Sequence, residues 1–172
     1  MVILFSDRKS VEEREIVQIL TDSGATYISD KEIKSGKNSI TVFSAYKKTN
    51  LNIKKGIVIM LGGEKRFYQQ KLPVYTIGIC DSLDKEAVNF FANNTVLVIS
   101  CGMGRKNTVT FSSIDEDKAL LTFQRTLTDI YGNTIEPAEY KIKLKNKYRE
   151  FSVMASATIL LLYGIKPEII WI

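Results

Sequence analysis

Residues 74–100 read VYTIGICDSLDKEAVNFFANNTVLVIS, and this stretch decides the fold. Val74–Cys80 is rich in β-branched and apolar residues, which predicts a strand. Asp81, Ser82 and Asp84 supply side-chain oxygens suited to capping a helix, ahead of an amphipathic stretch from Lys85 to Asn93. Thr95–Ser100 follows as a continuous apolar run, the pattern of a buried strand. Strand, helix and strand in this order form a right-handed βαβ crossover between parallel strands.

Working outward, the N-terminal side repeats the same grammar. Val2–Phe5 is a short apolar strand candidate. Ser10-Val-Glu-Glu13 has the spacing of a capping box, so a helix is expected from Val11, with Ile16, Val17, Ile19 and Leu20 on its apolar face and Ser23-Gly24 at its end. Thr26–Ser29, Ser39–Tyr46 and Gly56–Leu61 read as further strands.

After Cys101-Gly-Met-Gly104 the pattern changes to strict alternation. Val109 and Phe111, then Ala119, Leu121, Phe123 and Leu127, then Tyr140, Ile142 and Leu144 occupy every second position, as half-exposed antiparallel strands require. Asp115-Glu-Asp117 and Tyr131-Gly-Asn133 read as the turns between them. Phe151–Tyr163 is apolar almost all round and stops at Gly164 with Pro167 beyond, a buried helix. The expected architecture is one α/β domain over 1–172: a Rossmann-like, mostly parallel sheet with flanking helices, and a three-stranded antiparallel meander over 106–146 as a subdomain. The apolar tail Glu168–Ile172 is expected to add an edge strand, or to dock on a partner chain or a second copy.

Composition bounds the chemistry. The chain has 172 residues, 45% hydrophobic and 25% charged, with two Cys and no His, which describes an ordinary globular domain and excludes a disulfide scaffold. Lacking His, a single chain cannot build Ser-His-Asp, Cys-His or His-metal sites. No catalytic residue, metal ligand or cofactor is therefore assigned. No apolar run reaches the roughly 18–20 residues that cross a bilayer, and MVILFSDRKS turns polar too soon for a secretory signal. A cytoplasmic protein with no membrane partner is expected. Cys80 and Cys101 each end an apolar run without Cys-x-x-Cys spacing, and read as buried reduced thiols.

Lys+Arg number 24 against 19 Asp+Glu, a net +5. Between Lys31 and Lys71, ten basic residues face only Glu32 and Glu64. That run reads as a solvated lysine face; with Phe43, Tyr46, Phe67 and Tyr68 beside it, nucleic-acid binding is the alternative.

Two turns combine glycine with cations. In Cys101-Gly-Met-Gly-Arg-Lys106, Gly102 and Gly104 can aim backbone N–H groups at an anion while Arg105 and Lys106 supply charge. Asp81 and Asp84 lie at a strand end, the edge where open α/β sheets bind ligands, and complete this candidate anion site. Gly62, Gly63, Lys65 and Arg66 form a secondary candidate. Helix capping explains Asp81 and Asp84 equally well.

From residue 74 to 165 the chain resembles the C-terminal half of the ATP-binding central domain of Mur ligases. The matching pieces are Cys80-Asp-Ser-Leu-Asp84 at an acidic turn, the strand Val96-Leu-Val-Ile-Ser-Cys-Gly102 running into glycine, the meander, and the helix Arg149-Glu-Phe-Ser-Val-Met-Ala155-Ser-Ala157 closing on Leu162-Tyr-Gly-Ile165. The resemblance implies an ATP-dependent ligase scaffold linked to peptidoglycan precursors. The departures argue against the activity. No Gly-x-x-x-x-Gly-Lys-Ser/Thr loop is present. Leu61-Gly-Gly-Glu-Lys65 lacks the spacing and the hydroxyl, and Arg149 and Ser152 stand where the family has Asn and His contacts. The expected function is a noncatalytic, Mur-ligase-like binding or accessory module that recognises a small anionic ligand or a partner chain. The alternative is a small nucleotide- or phosphate-binding Rossmann-like enzyme using Gly102, Gly104, Arg105, Lys106 and Asp81 or Asp84.

Overall fold

The computed structural model describes residues 1–62, 67, 69–115, 118–143 and 147–167. The crossover forms as the sequence requires: β6 (Thr76–Asp81), α2 (Lys85–Asn94) and β7 (Leu97–Cys101), with the two strands paired directly and in parallel from Ile77↔Leu97 to Asp81↔Cys101. Asp84 caps α2, its Oδ1 accepting from the amides of Glu86 and Ala87 at 3.1 and 3.0 Å. Thr95 is not in the strand. It ends α2 in the left-handed region at φ 55°, and β7 starts two residues later.

The N-terminal half adds β1 (Val2–Phe5), α1 (Val11–Asp22), β2 (Thr26–Ile28), the two-residue β3 (Ile33–Lys34), β4 (Thr41–Ala45) and β5 (Gly56–Met60). The C-terminal half adds β8 (Val109–Ile114), β9 (Lys118–Phe123), a ribbon of β10 (Leu127–Thr128) and β11 (Thr134–Ile135), then β12 (Ala138–Lys143) and α3 (Glu150–Leu162). One ten-stranded sheet runs in the order β12-β9-β8-β7-β6-β5-β1-β4-β2-β3, and β10-β11 stands apart. From β2 to β8 every neighbour is parallel; the β3, β9 and β12 pairings are antiparallel.

Every residue of β1 and β5 is buried, because helices cover both faces of a parallel sheet. Val2 and Leu4 point into the cluster under α1 and α3; Ile3 and Phe5 point into the opposite cluster with Phe90 and Phe91 of α2. Phe67 stacks on Phe5 at 4.6 Å and is fully buried, so it is a core ring and not a base-stacking one. α3 is buried from Ser152 to Leu162, as its all-round apolar sequence requires. Both cysteines are free and buried. Burial pushes the Cys80 thiol up to about 12 and raises that of Cys101 as well. Among the described residues no helix is long and apolar enough to cross a membrane.

The second meander strand is shorter than its alternation suggests. It leaves the ladder after Phe123, where the Gln124 amide donates to Thr108 O at 2.9 Å and the Arg125 guanidinium to Lys106 O at 3.0 Å. Leu127 then joins the separate ribbon. The tail Glu168–Ile172 and the end of the third predicted strand, Leu144 and Lys145, lie outside the described residues.

Two backbone positions test this packing with opposite signs. A Cβ at Gly78 would sit 2.6–2.9 Å from three ring atoms of buried Phe91, so Gly78→Ala should cost about 1–3 kcal/mol. Thr95 is exposed and strained by its positive φ, so Thr95→Gly should gain about 0.5–1 kcal/mol. Urea unfolding of both variants checks the pair.

Candidate functional site

The C-terminal ends of the parallel strands lie along one edge, and the loops there face a common surface. β1 enters α1 through Ser6-Asp-Arg-Lys-Ser10. A phosphate-gripping loop at such a junction needs glycines, so that successive N–H groups can turn onto one anion. This junction has five residues and no glycine, and none of them has a positive φ. Two of its amides, and one in the first turn of α1, are also occupied from within. The Lys9 amide donates to Asp7 Oδ1 at 2.8 Å, the Ser10 amide to Asp7 O at 3.3 Å, and the Glu13 amide to Ser10 Oγ at 3.1 Å. The Asp7 carboxylate holds one of the donors an incoming phosphate would need.

Ser10 caps α1 as expected, but Glu13 does not close the capping box. Its carboxylate turns inward and is 4% exposed, accepting from Ser6 Oγ and, at 2.8 Å, from the Tyr46 hydroxyl. The network continues through Tyr27, whose hydroxyl donates to Ser44 Oγ at 3.1 Å. Burial, then the hydrogen bonds with Tyr27 and Glu13, raise the Tyr46 phenol above its ordinary range. β1, α1, β2 and β4 are tied together directly beneath the loop.

Above this floor lies a cleft of about 630 Å³, with Arg8, Lys9 and Lys47 as its cations and Phe43 and Tyr46 as its rings. Asp7 and Asp30 also line it, together with the hydroxyls of Ser29, Ser44 and Thr49. Arg8 pairs with Asp30, and its guanidinium stands 5.1 Å from the centroid of the Tyr46 ring. Lys9 has no ion-pair partner among the described residues. A second cleft of about 330 Å³ lies towards α1, and a third of about 250 Å³ lies between Lys9, Gly62 and Arg149.

Arg149 precedes α3, and α1 holds it there. Its guanidinium pairs with Glu12 at 2.7 Å, while Glu15 Oε2 accepts from the Arg149 amide at 3.1 Å and from Ser152 Oγ at 2.6 Å. The free amides of a helix N-terminus favour a carboxylate. Arg149 and Ser152 are thus engaged in docking the two helices.

The glycine-rich turn predicted as the anion site adjoins the acidic turn: the Ser82 amide donates to Cys101 O at 2.9 Å. A Cβ at Gly102 would meet Ser82 Oγ at 2.5 Å and Asn107 Nδ2 at 2.8 Å, so both side chains would have to turn away. Asp81 Oδ1 accepts from the Leu83 amide at 2.8 Å, Asp84 caps α2, and Gly104 O accepts from the Asn107 amide and side chain. Gly102, Gly104, Arg105, Lys106, Asp81 and Asp84 line none of the clefts above. Gly62, at φ +74°, lines the third; Gly63, Lys65 and Arg66 lie outside the described residues. Sequence reasoning missed Arg8, Lys9 and Lys47. The available signal was Lys9-Ser10 between a strand and a helix, the ending of a phosphate loop without its glycines.

Glu13→Ala would leave the Ser6 and Tyr46 hydroxyls without their acceptor, one of them fully buried. The expected loss is about 2–3 kcal/mol in urea unfolding, with a smaller loss for Glu13→Gln, which keeps a carbonyl acceptor. A loss under about 0.5 kcal/mol would mean that the tie is not structural.

The sequence matches no family model and no curated protein sequence. Solved structures do match in fold. The chain aligns over 98% of its length with UDP-N-acetylmuramate:L-alanyl-γ-D-glutamyl-meso-diaminopimelate ligase from Neisseria meningitides, at 7% identity and TM-score 0.60, covering 62% of that chain. MurF ligase from Thermotoga maritima, in complex with ADP, matches over 98% of this chain and 47% of its own, at 10% identity and TM-score 0.54. E. coli FolC in complex with DHPP and ADP matches over 100% and 57%, at 9% identity and TM-score 0.55. The chain spans about half the length of these structures. The likeness that the sequence carries from residue 74 onward extends across the N-terminal half, and the chain has a Mur-ligase-like fold from end to end.

Proposed function

We propose that this chain is a noncatalytic, Mur-ligase-like binding module of the cytoplasm that recognises a small acidic ligand, with a cell-wall precursor as the first candidate. One observation carries the noncatalytic part: the β1–α1 junction has five residues and no glycine to turn its amides onto a triphosphate, and Asp7 already engages its Lys9 amide. The ligand class follows from the adjacent cleft, where three cations, two rings and several hydroxyls converge on about 630 Å³. That volume suits a small molecule, and its mixture of charge and ring surface suits an acidic one with polar substituents. The cell-wall link draws on the neighbours, whose names include UDP-N-acetylmuramate and MurF.

A phosphate-binding reading at the paired turns rests on the Ser82–Cys101 hydrogen bond that brings Asp81 beside Gly102. Under that reading Arg105→Ala removes a phosphate-induced thermal shift, and an unchanged shift excludes it.

Calorimetric titration with a UDP-N-acetylmuramoyl peptide should show binding. Replacing Lys9 and Lys47 together by Ala should weaken it by about tenfold or more, since each charged contact is worth about 1.5–3 kcal/mol when well formed. Pure protein should release no phosphate from ATP above the buffer rate. Sustained ATP turnover would overturn the noncatalytic assignment.

A further inference from the structure

Arg8, Ser29 and Tyr46 line both the 630 Å³ cleft and the 330 Å³ cleft. The Arg8 side chain leaves the β1–α1 loop, crosses the face of Tyr46 and ends on Asp30 beyond β2. It stands between two compartments, and its only ion-pair partner among the described residues is Asp30. The Arg8 and Asp30 side chains are 54% and 43% exposed, and an ion pair that open to water is screened and holds weakly. The Tyr46 ring behind it is fixed, by contrast, through its hydrogen bond to buried Glu13.

Cations outnumber carboxylates on both sides, the carboxylates being Asp7 and Asp30 in the first and Glu13 and Glu32 in the second. Lys9 and Lys47 line the first compartment, Arg14, Lys31 and Lys34 line the second, and Arg8 belongs to both. Lys34 pairs with Glu32 at 3.4 Å, whereas Arg14 has no ion-pair partner among the described residues. Glu13 faces the second compartment, but its oxygens are engaged by Ser6 and Tyr46. Asp30 lines the first compartment and competes there for Arg8.

We infer that Arg8 and Asp30 form a latch across a single trough, and that the trough takes an elongated ligand carrying at least two anionic groups, one for each compartment. This rests on the acidic-ligand reading above. One anionic group draws Arg8 from Asp30, the wall opens, and the second group reaches Arg14. Phosphates and carboxylates share this chemistry, and the probes separate them.

The test titrates the full chain with inorganic phosphate, tripolyphosphate and tri-aspartate, for wild type, Arg14→Ala and Asp30→Ala. Both substituted residues are exposed, and circular dichroism confirms folding. Arg14→Ala should weaken at least one elongated probe about fivefold and leave phosphate within about twofold; Asp30→Ala should tighten the same probe about fivefold. The probe that responds identifies the anion as phosphate or carboxylate. Phosphate binding combined with no response of either elongated probe to Arg14→Ala overturns the latch alone and leaves the acidic-ligand reading standing. Equal shifts of all probes on Asp30→Ala mark plain charge removal and also overturn the latch. No binding of any probe by any folded variant overturns both readings.

Discussion

The carboxylate of Glu13 is the constraint on which the functional edge depends. It is buried where α1 begins, and it accepts from a hydroxyl at the end of β1 and from another just beyond β4. Burying a carboxylate is costly unless donors meet it. Here two hydroxyls do, and the first turn of α1 adds the favourable end of its dipole. The loop leaving β1 and the end of β4 frame the main cleft, with Ser29 and Asp30 beyond β2. One buried carboxylate therefore ties the loop leaving β1 to the end of β4 and fixes the Tyr46 ring beneath Arg8.

This contact also shows why part of the site was hidden in the sequence. Ser10 and Glu13 stand at capping-box spacing, and Ser10 behaves accordingly, yet nothing local distinguishes a Glu that folds back on its own helix from one that reaches inward. The choice depends on Tyr46, which arrives from β4, 33 residues away. The crossover at 74–100 was legible because its signals are local: a β-rich run, a capping Asp84 and an apolar run. Thr95 adjoins an apolar run and reads with it as strand, and the need to end α2 overrides that pattern. The cleft cations were missed for a different reason. A phosphate loop is recognised by its glycines, so Lys9-Ser10 carried no signal without them, and Lys47 acquires meaning only once β4 lies beside β1.

Conservation of shape with 7–10% identity among the neighbours described separates what the fold needs from what the chemistry needs. The fold needs two-sided burial of β1 and β5, the alternation of β9, and an α3 that is apolar almost all round. Many sequences satisfy those patterns. A glycine-rich phosphate loop needs specific backbone freedom at one junction, and Ser6-Asp-Arg-Lys-Ser10 occupies that junction here without a glycine and with the sheet intact. The same edge can then serve a different ligand, because loops at the strand ends vary independently of the core that carries them.

The basic run from Lys31 to Lys71 makes the same point about topology. In the sequence it looks like one positive surface. In the fold, β4 and β5 are parallel, so the chain between them must travel the whole height of the sheet. Lys47 stays at the C-terminal edge beside the cleft, while Lys55 reaches the opposite edge and donates to Ile130 O at 3.1 Å. Lys31 and Lys34 face the second compartment. The run is thus divided between two ends of the molecule, and charges separated by more than about one Debye length, roughly 8–10 Å in physiological salt, do not act together on a ligand. A continuous nucleic-acid backbone needs a continuous stripe of such charge. The cations that do converge here, Arg8, Lys9 and Lys47, converge on a cleft.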